Sequence, residues 1–368
     1  MPTRKVLIAG ASGLVGYAAA KHFASLPDWE VVGVSRRKPA DIPAATLLSV
    51  DLLDSAACQQ AFGTMTGVTH LVYAALQEQP GLWAGWLDPE NMERNAAMLR
   101  NLFEPLAQAS PGLEHVSLLH GTKAYGVHHP SIGPKGAKIP LREREPRREH
   151  PNFYFLQEDY LREKQQRGAT WGLTVFRPTV IYGEATGNNM NPIPAIAAYA
   201  AILREAGEPL YFPGREGQPA LHEAVDADLI ARALAWAATS PNARNETFNL
   251  TNGDVFLWEN VWPAIAEALH MRPGEQRPYS LAAELPKHDA EWASVVQKYH
   301  LPVPQTIVDY AGMNSLIYAD SVLGPRLGPP ELPLLNSTIK ARQAGFHDCI
   351  DTEDMFCNLF SRVLSTPS

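Results

Sequence analysis

Cysteine is scarce. The 368-residue chain carries three, Cys58, Cys349 and Cys357, in no CxxC or other zinc-type spacing. So odd and sparse a set excludes a disulfide framework and a cysteine-built metal centre, and it suits reduced thiols in a cytoplasmic protein. No metal is expected elsewhere either. His128 and His129 are neighbours in sequence, so their side chains point apart rather than at one ion. Long apolar runs are missing: none approaches the ~18 residues that cross a membrane. The short VLIA run after Arg4 and Lys5 opens onto glycines, not onto a signal-cleavage site. Basic charge is not in excess. Thirty-one Lys and Arg against 39 Asp and Glu leave a net charge of −8, which argues against a nucleic-acid partner. Repeats at periods of roughly 20–50 residues are absent. Proline is plentiful, at 31 residues, many of them beyond residue 180, so the second half is expected to be rich in loops.

The first half reads as alternating strands and helices. Residues 5–9 (KVLIA) form a strand, followed by Gly10-Ala-Ser12-Gly13-Leu14-Val15-Gly16 and a helix to about residue 25. A glycine turn between a first strand and a helix lets backbone N–H groups approach a pyrophosphate at the helix N-terminus. Residues 30–35 (EVVGVS) form the second strand. At its end an NAD enzyme would place an acidic residue for the ribose 2′-hydroxyl. Here Ser35-Arg36-Arg37 stands instead, and paired guanidinium groups suit a 2′-phosphate. The expected cofactor is therefore NADP(H). A third strand over 46–50 ends at Asp51 and Leu52, with Asp51 available to the adenine amino group or as a helix cap. The fourth, over 70–75, brings the small residues Ala74 and Ala75 to the cofactor. A long helix over 89–107 follows, with Met92, Met98, Leu99 and Leu102 as core or dimer seam. The fifth strand, 115–120, ends in Gly121-Thr122-Lys123, where Thr122 could hold a substrate oxygen and Lys123 points into a cleft. The sixth, 173–177, exits through Pro178 and Ile181 against the nicotinamide.

Between the fifth and sixth strands lies PNFYFLQEDYLREK, residues 151–164, with two tyrosines suited to acid catalysis. Tyr160 has Lys164 four residues on, the spacing of short-chain dehydrogenases; Tyr154 has Glu158 there. The two tyrosines are about 120° apart around a helix and about 9 Å along it, so both cannot face one ring. The helix must also recross the sheet before the sixth strand. From Tyr154 to Trp171 there are 18 residues and from Tyr160 only 12, part of them spent on the turn at 168–172. Crossing a sheet takes about 11–13 helical residues plus a loop. Tyr154 is favoured, with Lys123 supplying the positive charge.

Taken together, GASGLVG, VVGVSRR, DLLD, HLVYAA, HVSLLHGTKAYG, NFYFLQED and FRPTVIYG run in an order that resembles one family. It is the extended short-chain dehydrogenases/reductases of the progesterone 5β-reductase and iridoid synthase-like group. GTK followed by NFYxxxED is the specific pair. The resemblance implies that Lys123 and Tyr154 are the catalytic residues. It further implies NADPH-dependent 1,4-reduction of enones and enals, with Gly10, Gly13 and Gly16 at the pyrophosphate and Arg36 and Arg37 at the 2′-phosphate. Ile181 and the loop with Asn189 and Met190 would lie near the nicotinamide. Phe155 stands where plant members usually carry a second tyrosine, Ser12 where they often carry Thr. The second half diverges most, so a steroid substrate is not implied.

The expected fold is an α/β, Rossmann-type doubly wound parallel sheet with a smaller, mostly helical C-terminal substrate domain. Residues 1–185, with a returning segment near 221–252, would bind NADP, and residues 186–220 and 253–368 would form the substrate lid. Helices are expected over 195–206, 221–239, 258–269, 290–299 and 351–364, with a strand at 246–250 rejoining the sheet. Two other functions stay open. One is a carbonyl reductase or sugar-nucleotide epimerase/dehydratase using Tyr160 and Lys164; the other is a non-catalytic NADP(H) sensor. The helices over 89–107 and 153–167 suggest a homodimer seam.

Overall fold

A computed structural model describes residues 4–37, 42–79, 81–133, 136–184, 190–214, 221–324 and 333–365. The strands are β1 (Arg4–Ala9), β2 (Trp29–Ser35), β3 (Ala45–Ser49), β4 (His70–Tyr73), β5 (His115–Leu119), β6 (Gly172–Pro178), β7 (Val180–Tyr182), β8 (Leu210–Phe212), β9 (Ala224–Asp226), β10 (Thr247–Leu250) and β11 (Pro273–Gln276). The helices of the first half are α1 (Leu14–Ser25), α2 (Ser55–Phe62), α3 (Leu82–Leu87), α4 (Pro89–Ala109) and α5 (Phe153–Gln166). Those that follow are α6 (Pro192–Glu205), α7 (Ala227–Thr239), α8 (Trp258–Ala268), α9 (Leu281–Glu284), α10 (Asp289–Lys298), α11 (Ile307–Ala311), α12 (Met313–Leu323), α13 (Ile339–Gln343) and α14 (Thr352–Ser365).

Seven strands make one parallel sheet in the order β10-β6-β5-β4-β1-β2-β3. The order reverses between β1 and β4, and a crevice opens there beyond the strands' C-terminal ends. β1 shows why the strand sits at the centre. Val6 and Ile8 enter the core under α1 and α7, Leu7 and Ala9 the core under α2 and α4, and all four are fully shielded. Burial on both faces is what a continuous apolar run in a parallel sheet requires, and each larger side chain contributes roughly 1.5–3 kcal/mol. Met92, Met98, Leu99 and Leu102 are buried in α4, as expected. A third core, around Tyr199, Trp258, Trp262 and Phe356, joins α6, α8, α12 and α14. Among the described residues no helix is long and apolar enough to cross a membrane, and no group of three or more His, Cys, Asp or Glu could hold a metal ion.

One expected helix is shorter than its pattern. The stretch 221–239 begins as β9, which pairs in parallel with β7, and only then becomes α7. Asp226 ends the strand and caps the helix, accepting from the Asp228 N–H at 2.8 Å. A three-residue strand is too short for alternation to reveal it, so the alanine-rich run that follows dominated the pattern.

Candidate functional site

The crevice is lined from the glycine turn to α12 and has a cavity volume of about 310 Å³. Gly10 takes φ +86° in the turn after β1. A Cβ there would lie 2.7 Å from the Ala74 carbonyl oxygen, so the ends of β1 and β4 approach closely because this residue is glycine. Gly13 precedes α1 and offers no capping side chain, and no acidic residue occupies the first turn. Ser12, Gly13, Leu14 and Val15 line the crevice at this uncapped helix N-terminus, the electropositive end that suits a pyrophosphate. Gly16 does not line it. Its role is packing: a Cβ would lie 2.1 Å from the Gly10 carbonyl oxygen. Gly16→Ala is expected to cost about 1–3 kcal/mol of stability, read as a lower denaturation midpoint.

At the far end of this half, Ser35, Arg36 and Arg37 line the crevice beyond β2, with both arginines exposed. The Ser35 hydroxyl donates to the Arg37 carbonyl and the Ser49 hydroxyl to the Arg36 carbonyl at 2.9 Å. The serines thus shape the loop that presents the guanidinium groups. Asp51 and Leu52, just past the end of the neighbouring strand β3, line the crevice too, as do Ala74 and Ala75 past the end of β4. Asp51 does not cap α2: its carboxylate accepts from the Leu53 N–H, while Asp54 caps the helix through Ala56 and Ala57.

The other end holds the chemistry. Asn152 caps α5 by accepting from the Tyr154 N–H at 3.0 Å, which fixes Tyr154 in the first helical turn at the crevice. Its ring stacks on His120 at 4.5 Å between centroids and meets Trp86 edge-on at 5.3 Å. Burial, then the charge of Glu78, hold the Tyr154 phenol well above the usual tyrosine range, so it stays protonated. Gly121 leaves room for it: a Cβ there would lie 3.2 Å from the Tyr154 hydroxyl. Lys123 comes from the 3-10 turn after β5 (Thr122–Tyr125). Its ammonium lies 3.9 Å from the Trp86 ring centroid and donates to the Met190 Sδ at 3.2 Å. Burial lowers its pKa to about 8, with Glu78 acting in the opposite direction. Met190 adopts a left-handed φ of 57°, a conformation rare for this side chain, and thereby completes the lysine's seat. Thr122, Pro178 and Ile181 line the same end. Asn189 lies outside the described residues.

Tyr160 and Lys164 face the other way. The Tyr160 hydroxyl donates to Glu104 of α4 at 2.7 Å, and the Lys164 ammonium lies 2.5 Å from the same carboxylate. Neither lines the crevice. Glu158, on the helix face of Tyr154, pairs with Arg162 at 2.8 Å and stands 4.0 Å from His120 Nδ1. Burial, then Arg177, drive the His120 pKa well below its ordinary value, leaving a neutral ring under the tyrosine. Sequence reasoning missed His120, Glu78, Trp86, Gln157 and Tyr318. His120 and Gln157 lie inside the recognised stretches HVSLLHGTKAYG and NFYFLQED and could have been found; Glu78, Trp86 and Tyr318 come from a loop, a six-residue helix and α12, which no local pattern links.

The model of the NAD dependent epimerase/dehydratase family matches residues 6–251. The chain is 37% identical to the (S)-8-oxocitronellyl enol synthase of Nepeta racemosa, over 97% of this chain and 91% of that one. It is 31% identical to the 3-oxo-Delta(4,5)-steroid 5-beta-reductase of Arabidopsis thaliana, over 92% and 86%. Among solved structures, the UDP-glucose 4-epimerase of Thermus thermophilus in complex with NAD superposes with a TM-score of 0.62 at 19% identity, covering 97% of this chain and 98% of that one, and so shares the fold. The chain belongs to the NAD dependent epimerase/dehydratase family, among its progesterone 5β-reductase and iridoid synthase-like members.

Proposed function

We propose that the protein is an oxidoreductase that uses NADPH to reduce the C=C bond of small α,β-unsaturated ketones and aldehydes by 1,4-addition. The observation that carries this reading is the joint presence of Lys123 and Tyr154 at one end of the crevice, with Tyr160 and Lys164 turned onto α4. The named activities of the two relatives support it. Residues 1–185, with the return near 221–252, act as the nucleotide-binding part, and residues 186–220 and 253–368 cover it. Few cysteines support a cytoplasmic setting.

The residues present fit NADPH: an uncapped helix N-terminus behind a glycine turn, and two arginines where an acidic residue would select NAD. When bound, NADPH supplies a hydride to the β-carbon of the substrate. Negative charge then develops on the carbonyl oxygen. The protonated phenol of Tyr154 donates to that oxygen, and the ammonium of Lys123 stabilises the charge from beside it. Neither group needs to give up a proton for the enolate to form, and solvent can protonate its α-carbon. Trp86, Phe153 and Tyr154 pack together around this end and shield it from water, which strengthens both interactions.

The test is NADPH consumption with 2-cyclohexen-1-one against saturated ketones. Turnover of the enone alone supports the proposal; turnover of the ketones alone favours a carbonyl reductase. Tight NADPH binding without turnover of any enone favours a sensor. Exchanging both Arg36 and Arg37 for Ala is expected to raise the KM for NADPH by about 10–100-fold and leave that for NADH nearly unchanged, as loss of charge-assisted phosphate contacts requires. A homodimer through the outward faces of α4 and α5 would bring together Glu93, Arg94 and Asp159 around the exposed Leu156; sedimentation velocity tests it.

A further inference from the structure

The loop after β4 presents a carboxylate that the mechanism above does not use. We propose that Glu78 is the counter-ion of Lys123, a positioning residue that keeps the lysine charged beside the reacting carbonyl. This rests on the reading of Lys123 given under Proposed function.

The backbone on both sides of Glu78 is pinned. Asn95 of α4, fully buried, accepts from the Gln77 N–H at 2.9 Å and donates to the Gln77 carbonyl at 2.8 Å. Asn314 of α12, also buried, donates to the Gln79 carbonyl at 3.0 Å and accepts from the Leu82 N–H at 3.3 Å. Two buried carboxamides from separate elements thus hold the residues flanking one carboxylate, where a loop of ordinary polar residues would need neither. The carboxylate lines the crevice and accepts from Trp86 Nε1 at 3.3 Å. The face of the same indole carries the Lys123 ammonium. One ring therefore holds the acid at its edge and the base on its face.

Among the described residues, three titratable groups that feel one or other of these charges are neutral. His128, edge-on to Trp86, is held neutral by burial and then by Lys123 itself, with its pKa at about 3. The phenols of Tyr154 on α5 and Tyr318 on α12 are both held protonated by burial and then by the charge of Glu78. A lysine losing water in such a site tends to shed its proton, and a nearby carboxylate opposes that loss. The two opposite charges also offset one another at this end of the crevice, which suits an uncharged carbonyl rather than a carboxylate.

The experiment is the pH dependence of kcat/KM for 2-cyclohexen-1-one with NADPH, for wild type, Glu78→Gln and Glu78→Asp. In Glu78→Gln the alkaline limb is expected to move down by about one pH unit, with kcat rather than KM carrying the loss. In Glu78→Asp, which keeps the charge, it stays nearer the wild-type position. A third variant, Glu78→Ala, gives an independent reading should Gln not fold: added formate is expected to move its limb back up. An unmoved limb in Glu78→Gln, an equal shift in Glu78→Asp, or no response of Glu78→Ala to formate overturns the proposal. Lys123→Met separates this failure from that of the underlying reading. If Lys123→Met keeps full reduction, the role of Lys123 falls; if it is impaired while the limb in Glu78→Gln stays in place, only the counter-ion falls.

Discussion

Tyr154→Phe is expected to lower kcat/KM for enone reduction by about 10²–10³-fold, while Tyr160→Phe stays near wild type. The substitution removes one hydroxyl and keeps the ring, so the stack on His120 and the edge contact with Trp86 survive. What disappears is the donor to the developing enolate oxygen. Because that oxygen carries more charge in the transition state than in bound substrate, kcat should fall more than KM rises. Tyr160→Phe removes a bond to Glu104 on α4 instead, and its cost should appear as about 0.5–1.5 kcal/mol of stability. Steady-state kinetics and denaturant melts on both variants separate the two effects. The opposite pattern would return the chemistry to the Tyr160–Lys164 spacing.

Lys123→Met is expected to cost about 10²-fold in kcat/KM and to change the pH dependence as well. In wild type the ammonium is the useful form. Burial lowers its pKa to about 8, so it is charged below that value and loses its proton as pH rises through it. Activity should therefore be level on the neutral side and fall on the alkaline side of about pH 8. Methionine fills similar volume without charge, so the residual activity should show no such limb. A limb that persists in Lys123→Met would assign it to another group.

Much of the nucleotide half was legible because its signals are local. An apolar run, a glycine turn and a helix suffice for β1, Gly10–Gly16 and α1, and the pair Arg36–Arg37 stands where a strand end must meet a ribose. The choice of Tyr154 was legible through length: α5 begins at Phe153 and needs its 14 residues before β6 can start at Gly172. The surroundings of Lys123 were not legible. The loop that carries Glu78 is held on one side by Asn95 and on the other by Asn314, more than 200 residues away, and Trp86 sits on a six-residue helix that opens at a left-handed Gly81. Tyr318 reaches the crevice only because α12 folds back over α3 and α6. Contacts of that range leave no periodic trace in the chain. The strand β9 escaped for the opposite reason, being too short to show a period of its own.

The most direct measurement is the fate of deuterium from NADPH labelled at the transferable position, with 2-cyclohexen-1-one as substrate. With Lys123 and Tyr154 holding the carbonyl oxygen, the product should be cyclohexanone with deuterium on the former β-carbon. An allylic alcohol with deuterium on the former carbonyl carbon would contradict 1,4-reduction and assign the site to carbonyl chemistry.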